Sequence, residues 1–293
     1  MNSLWGKVLS ALAFIAFCIA AGIWYGMTRP QETPLAPPPE VTPRAEYTVI
    51  GTSEEGREIR AYSYSYGSGT KHVLFVGGMH GGYEWNSILL AYQFIDYLKA
   101  NPTIVPPGVK ITVIPDLNPD GTFRVIQKEG RFALADVPLA ADASPGRFNA
   151  RSVDLNRNFD CKWNPDGTWR GKKVSAGSSA FSEKESKVLR DFVLANDLAG
   201  AVFWHSQANA VYASECLDGI LPGTLAIMNA YAKAAGYPAV ESFDAYPVTG
   251  DAEGWLASIG IPAITVELAT HETIEWEKNL AGIKALLDYF TQQ

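Results

Sequence analysis

The sequence predicts an α/β fold: a single domain with a mixed, mostly parallel twisted β-sheet covered by helices on both faces. Three observations predict it. Short apolar runs such as HVLFV (72–76), AGAVFWHS (199–206) and PAITVEL (262–268) have the length and composition of buried strands. Stretches with helical apolar spacing alternate with those runs, as in sheets covered on both sides. Polar residues stand where strands end: His80, Asn118, His205 and Glu267. Sheets of this kind place their sites at the carboxyl ends of strands.

Each element follows in order. Val8 to Met27 is uncharged and mostly apolar, about one bilayer width as a helix, with Lys7 before it and no acidic residue before Glu32. Residues 1–27 therefore read as an export signal retained as a membrane anchor, or as a cleaved signal peptide. Cys18 reads as an apolar filler of that helix. The stretch TRPQETPLAPPPEVTPR (28–44) is proline-rich and reads as an extended linker. The domain proper is residues 45–293. It opens with a hairpin over 46–66 around the turn GTSEEG. HVLFV follows, with His72 read as a surface position. Ile88, Tyr92, Ile95 and Leu98 mark a helix over 85–99. KITVIPDL (110–117) is a strand. A helix over 182–197 opens at Ser182, with Glu185 at capping-box spacing. The strand 199–206, a helix over 221–236, the strand 262–268 and a closing amphipathic helix complete the pattern.

Composition limits the function classes. Of 293 residues, 47% are hydrophobic and 19% charged, which is globular rather than disordered. The net charge is −7 and no Lys/Arg block occurs, which argues against a nucleic-acid partner. Cys161 and Cys216 suggest one disulfide in an exported protein, or two buried free thiols.

The stretch GGMHGGYEWN (77–86) sets four glycines around one histidine, with a glutamate four residues on. His80, Glu84 and His205 together offer two imidazoles and a carboxylate, the donor types that catalytic zinc takes while leaving a position for water. Singly, each has a structural alternative.

As a set, GGMHGGYEW, NPDG (118–121), RFNARSVDLNRNF (147–159), WHS (204–206), YPVTG (246–250) and TVEL (265–268) resemble the zinc metallocarboxypeptidases of the carboxypeptidase A and B type, in family order. The resemblance implies one Zn2+ held by His80, Glu84 and His205. It implies Asp154 behind a ligand histidine, Asn156 and Arg157 on the substrate's terminal carboxylate, and Arg147 on the scissile carbonyl. Glu267 would be the general base, and Tyr246 would close over the C-terminal residue. The family's first ligand pair is usually HxxE; here it is HxxxE, aligned on the following Trp85. Glu253 falls where the family lines the base of the side-chain pocket. A carboxylate there favours lysine, arginine or diaminopimelate; alternatively Glu253 belongs to a solvated acidic turn before a helix. The implied substrate is a peptide or a cell-wall peptide. The other readings are a murein-peptide amidase, an acyl-amino-acid deacylase on the same fold, and a non-catalytic binding module. Apart from the resemblance, the apolar N-terminal segment reads as placing the protein outside the cytoplasm, exported, periplasmic or extracytoplasmic, with the membrane as a partner through that segment.

Overall fold

The computed structural model describes residues 2–28, 44–66, 71–138 and 142–293. The chain divides into two units, Met1–Glu40 and Val41–Gln293. The first contains helix α1 (Asn2–Thr28), on which Leu9, Phe14, Phe17 and Trp24 are exposed. Among the described residues no helix is long and apolar enough to cross a membrane. The linker reading for 28–44 falls almost wholly outside the described residues.

The second unit starts with the expected hairpin. Strands β1 (Arg44–Thr52) and β2 (Glu58–Ser65) pair antiparallel. The turn is closed by Ser53 N–H donating to Arg57 C=O at 2.8 Å. Strand β3 (Lys71–Val76), helix α2 (Trp85–Ala100) and strand β4 (Val109–Ile114) follow. β4 stops three residues short of the expected end. Leu117 and Asn118 there donate to the carbonyls of Gly77 and Gly78 instead of a neighbouring strand, so the chain turns across the end of β3. Helix α3 (Pro119–Ile126) then starts from Asn118, whose side chain accepts from Gly121 N–H. A small hairpin of β5 (Asp166–Trp169) and β6 (Lys172–Ser175) precedes α4 (Lys184–Leu194). The remaining elements are β7 (Leu198–Ser206), β8 (Ala210–Ala213), β9 (Glu215–Cys216), β10 (Gly219–Ile220), α5 (Pro222–Ala235), β11 (Ala239–Val240), α6 (Ala252–Ser258), β12 (Ala263–Leu268) and α7 (Trp276–Thr291).

Eight strands form one sheet in the order β1-β2-β4-β3-β7-β12-β8-β11. The central four, β4, β3, β7 and β12, are mutually parallel. β8 runs antiparallel beside β12, which makes the sheet mixed. Period-two alternation explains why HVLFV is apolar throughout. Val73 and Phe75 join one core with Trp204, Tyr231 and Ile283. Leu74 and Val76 join the other with Ile114, Phe203 and Leu256. With both faces covered, no polar alternation survives.

Two local expectations fail. Ser182 does not form a capping box: its hydroxyl donates to Glu183 at 2.7 Å and accepts from Asn158 at 2.9 Å. Glu185 instead accepts from Glu54 N–H and from the Asn149 amide. His72 is buried rather than on the surface, with Nε2 2.8 Å from Thr112 Oγ1. The cysteine question resolves as a Cys161–Cys216 disulfide.

Candidate metal centre

The parallel strands deliver the site. His80 follows β3 by four residues, and a single 3-10 turn (Gly81–Glu84) carries the chain to Glu84. Gly81 holds φ at 46°, and a Cβ there would stand 2.7 Å from Gly146 C=O. Glycine is therefore required in this turn, by conformation and by space. The turn absorbs the extra residue of HxxxE and brings both side chains to one point. His205 lies on β7, in register with Glu267 on β12.

Ligand atoms of His80, Glu84 and His205 lie within 4.8 Å of one another, all buried. His80 Nδ1 is 2.8 Å from Glu84 Oε1, and His205 Nδ1 is 3.0 Å from Glu84 Oε2. The two Nδ1 atoms are 3.1 Å apart. Both rings thus turn Nδ1 inward and Nε2 outward toward acids. His80 Nε2 is 3.5 Å from Asp154 Oδ1, and His205 Nε2 is 3.2 Å from Glu253 Oε1. Carboxylates behind ligand imidazoles fix tautomer and ring orientation. The donors fit a zinc ion, with the ligand set already known for carboxypeptidase A rather than a new one.

The other expected residues surround this point, but several are engaged differently. Arg147 pairs with Asp154, its Nε and Nη2 each 2.9 Å from Oδ2. Its Nη1 stands 3.7 Å from Glu84 Oε1. Burial alone would raise the Asp154 carboxyl, but the Arg147 guanidinium holds it well below the ordinary range. Asn156 Oδ1 accepts from Ala252 N–H at 2.9 Å, which leaves its Nδ2 protons available. Arg157 is largely committed to backbone: Nη1 donates to Asn156 C=O, and Nε and Nη2 to Thr168 C=O. Tyr246 packs edge-on against Phe243 at 4.9 Å.

Glu253 is 2% exposed, which removes the reading of a solvated acidic turn. Its Oε1 accepts from Thr265 Oγ1 at 3.0 Å, while Oε2 is buried without a partner among the described residues. Glu267 accepts from Ala208 N–H at 3.2 Å. Burial first, and the Glu84 charge next, push its carboxyl up to about 7.

Apart from the fully buried Asp154, these site groups line one cavity of about 500 Å³. Sequence reasoning missed part of its wall. The tip of the β5–β6 hairpin contributes Trp169, whose ring lies 4.6 Å from the Arg147 guanidinium carbon. The stretch DGTWRG carries a turn signal that could have revealed this hairpin. Tyr83 and Ser214 are further wall residues of that kind, while His271, four residues after Glu267, and Asp251, beside Glu253, stand where the sequence allowed a rim or pocket position.

A buried His₂Glu set where parallel strands end is compatible with a metal ion in an α/β protein. A family model described as zinc carboxypeptidase matches residues 42–281, and the chain belongs to that family of zinc metallopeptidases. It is similar to carboxypeptidase B of Helicoverpa zea, 29% identical over 252 residues, covering 75% of this chain and 57% of that one. Human carboxypeptidase Z is 32% identical over 121 residues, 38% of this chain and 17% of that protein. The chain thus spans little more than half of the first relative and a sixth of the second. Among solved structures, carboxypeptidase A from Helicoverpa armigera gives a TM-score of 0.64 at 21% identity, covering 83% of this chain and 69% of that one. The murein-tripeptide amidase MpaA from Escherichia coli O157 gives 0.57 at 21% identity, covering 88% and 96% respectively. At these identities the solved structures establish the shared fold alone.

Proposed function

We propose that the protein is a zinc-dependent carboxypeptidase that releases a C-terminal residue with a cationic side chain. The observation that carries the reaction is the in-register pair His205 and Glu267, which sets a carboxylate beside the ligand set on the wall of the same cavity. When bound, zinc acidifies a water and polarises the scissile carbonyl. Glu267 takes a proton from the attacking water and passes it to the leaving amine. Arg147 Nη1 meets the developing negative charge on the carbonyl oxygen, while Asp154 holds the rest of that guanidinium. Asn156 Nδ2 and the remaining protons of Arg157 bind the terminal carboxylate. Tyr246 covers the departing residue.

The side-chain preference rests on the acidic end of the cavity. The unpartnered Glu253 Oε2 and the nearby Asp251 and Ser214 suit an ammonium or guanidinium. A second reading, an amidase acting at diaminopimelate, is favoured by Lys162 on the same cavity wall. Diaminopimelate ends in both an ammonium and a carboxylate, so acids and a cation would meet it together. Export is supported by the uncharged Val8–Met27 stretch and the exposed apolar side chains of α1.

Glu267→Gln should retain zinc and lose about 10³-fold or more in kcat on peptides ending in lysine. Normal turnover by that variant would remove Glu267 as the base. A panel of peptides ending in Lys, Arg, Phe and Glu, beside a diaminopimelate-containing wall peptide, decides the pocket. Preference for Phe would overturn the cationic assignment.

A further inference from the structure

One polar device beside the ligand set has no part in the steps above. His271 follows β12 by three residues and lines the same cavity. Its ring centroid is 4.6 Å from that of Tyr83, and Tyr83 meets Trp169 edge-on at 5.3 Å. His271 Nδ1 is 2.6 Å from Ser206 Oγ, whereas Nε2 is buried with no partner among the described residues.

A chain of hydrogen bonds fixes the tautomer of this ring. Asn86 Nδ2 donates to the carbonyls of Thr270 and Thr273 at 2.7 and 2.9 Å. Turning that amide over would face its oxygen to two carbonyl oxygens, so the orientation follows from the network. Asn86 Oδ1 is then the acceptor for Ser206 Oγ, at 3.0 Å. A hydroxyl has one proton. With that proton on the Asn86 side, Ser206 Oγ accepts from His271, and Nδ1 carries the ring proton. Nε2 is left as a bare lone pair. Burial also lowers the imidazole pKa, which favours the neutral ring near pH 7.

We propose that His271 is a substrate-binding residue for the acyl side of the cleaved bond, with Nε2 accepting a hydrogen bond from the backbone N–H of the residue whose carbonyl is attacked. Asn86 and Ser206 are positioning residues that set its tautomer. The assignment rests on the carboxypeptidase reading. There, Asn156, Arg157, Tyr246 and Glu253 take the leaving residue, and the Tyr83–His271–Trp169 wall is left for the acyl part. A bare lone pair selects a donor and disfavours an ester oxygen at the same place, because two acceptors would then face each other.

The test uses two substrates, an N-acyl dipeptide and its analogue with the acyl-side N–H replaced by an ester oxygen. Wild-type enzyme should favour the N–H substrate by about tenfold in kcat/KM, the effect of one hydrogen bond. His271→Phe should collapse that ratio to about one while zinc content stays at the wild-type level. His271→Gln, which restores a carbonyl acceptor, should recover part of it. A ratio unchanged in His271→Phe, or absent in the wild type, overturns the assignment. Failure of the wild type to cleave either substrate overturns the carboxypeptidase reading and this one with it. Independently of turnover, and of whether His271→Phe folds, imidazole 15N NMR of the wild-type protein should find Nδ1 protonated and Nε2 unprotonated at neutral pH. The reverse tautomer overturns the assignment as well.

Discussion

The residues of the site differ in what else holds them, and that difference decides how legible each one is. Arg147 and Asp154 neutralise each other in the interior, and Glu253 reaches both His205 and Thr265. His72 lies outside the site and gives a clean acid-sensitivity prediction. Burial first, and the Lys110 charge second, lower its pKa from 6.5 to about 4. The unfolded chain therefore binds a proton on this ring more readily than the folded protein between those values. Stability contributed by the neutral ring is complete above pH 6.5, falls as pH drops through the window, and levels off below pH 4. His72→Gln should remove roughly 3 kcal/mol of stability loss between pH 7 and pH 4, read from urea midpoints. An identical pH dependence in the variant would contradict this. His80, Glu84, His205 and Glu267 were legible because their types stand in glycine-rich or strand-end contexts that demand explanation. The outward neighbours were less so. Nothing in the local sequence says that Glu253 reaches His205, since that contact depends on how α6 docks beside β12.

At the scale of elements, strands buried on both faces announced themselves by unbroken apolar runs. β8 and β11 did not, being only four and two residues long. The β5–β6 hairpin was hidden for a different reason. Its residues are mostly polar, and Trp169 meets Tyr83 and Phe148 edge-on, contacts that the local sequence does not announce. The Cys161–Cys216 disulfide ties the segment after NRNF to β9, and Cys161 C=O also accepts from Gly250 N–H at 2.7 Å. The closed loop spans 55 residues, which gives a stabilisation of about 4 kcal/mol by loop closure. Replacing both cysteines by alanine should lower the melting temperature. It should also raise KM more than it lowers kcat, since Cys161 lines the cavity next to the proposed side-chain pocket. A KM equal to wild type would show that the disulfide stabilises the fold without shaping the pocket.

At the scale of the molecule, the parallel centre of the sheet explains why distant parts of the sequence meet. β3, β7 and β12 are neighbours, so His80, just past the end of β3, meets His205 on β7 and Glu267 on β12 although the three are far apart in the sequence. The unit Val41–Gln293 contains both buried cores and the whole ligand set. A fragment of residues 44–293 should therefore fold cooperatively and keep the zinc affinity of the full chain. Loss of zinc on removing residues 1–43 would mean that the site depends on the first unit. The most direct measurement is X-ray absorption at the zinc edge on the purified full chain, together with metal content. One zinc per chain, with two imidazoles and a carboxylate in the inner sphere and with loss of the metal in His205→Ala, is the expected result. A chain that binds no zinc, or zinc whose environment is unchanged in His205→Ala, would contradict the metal centre on which the proposed chemistry stands.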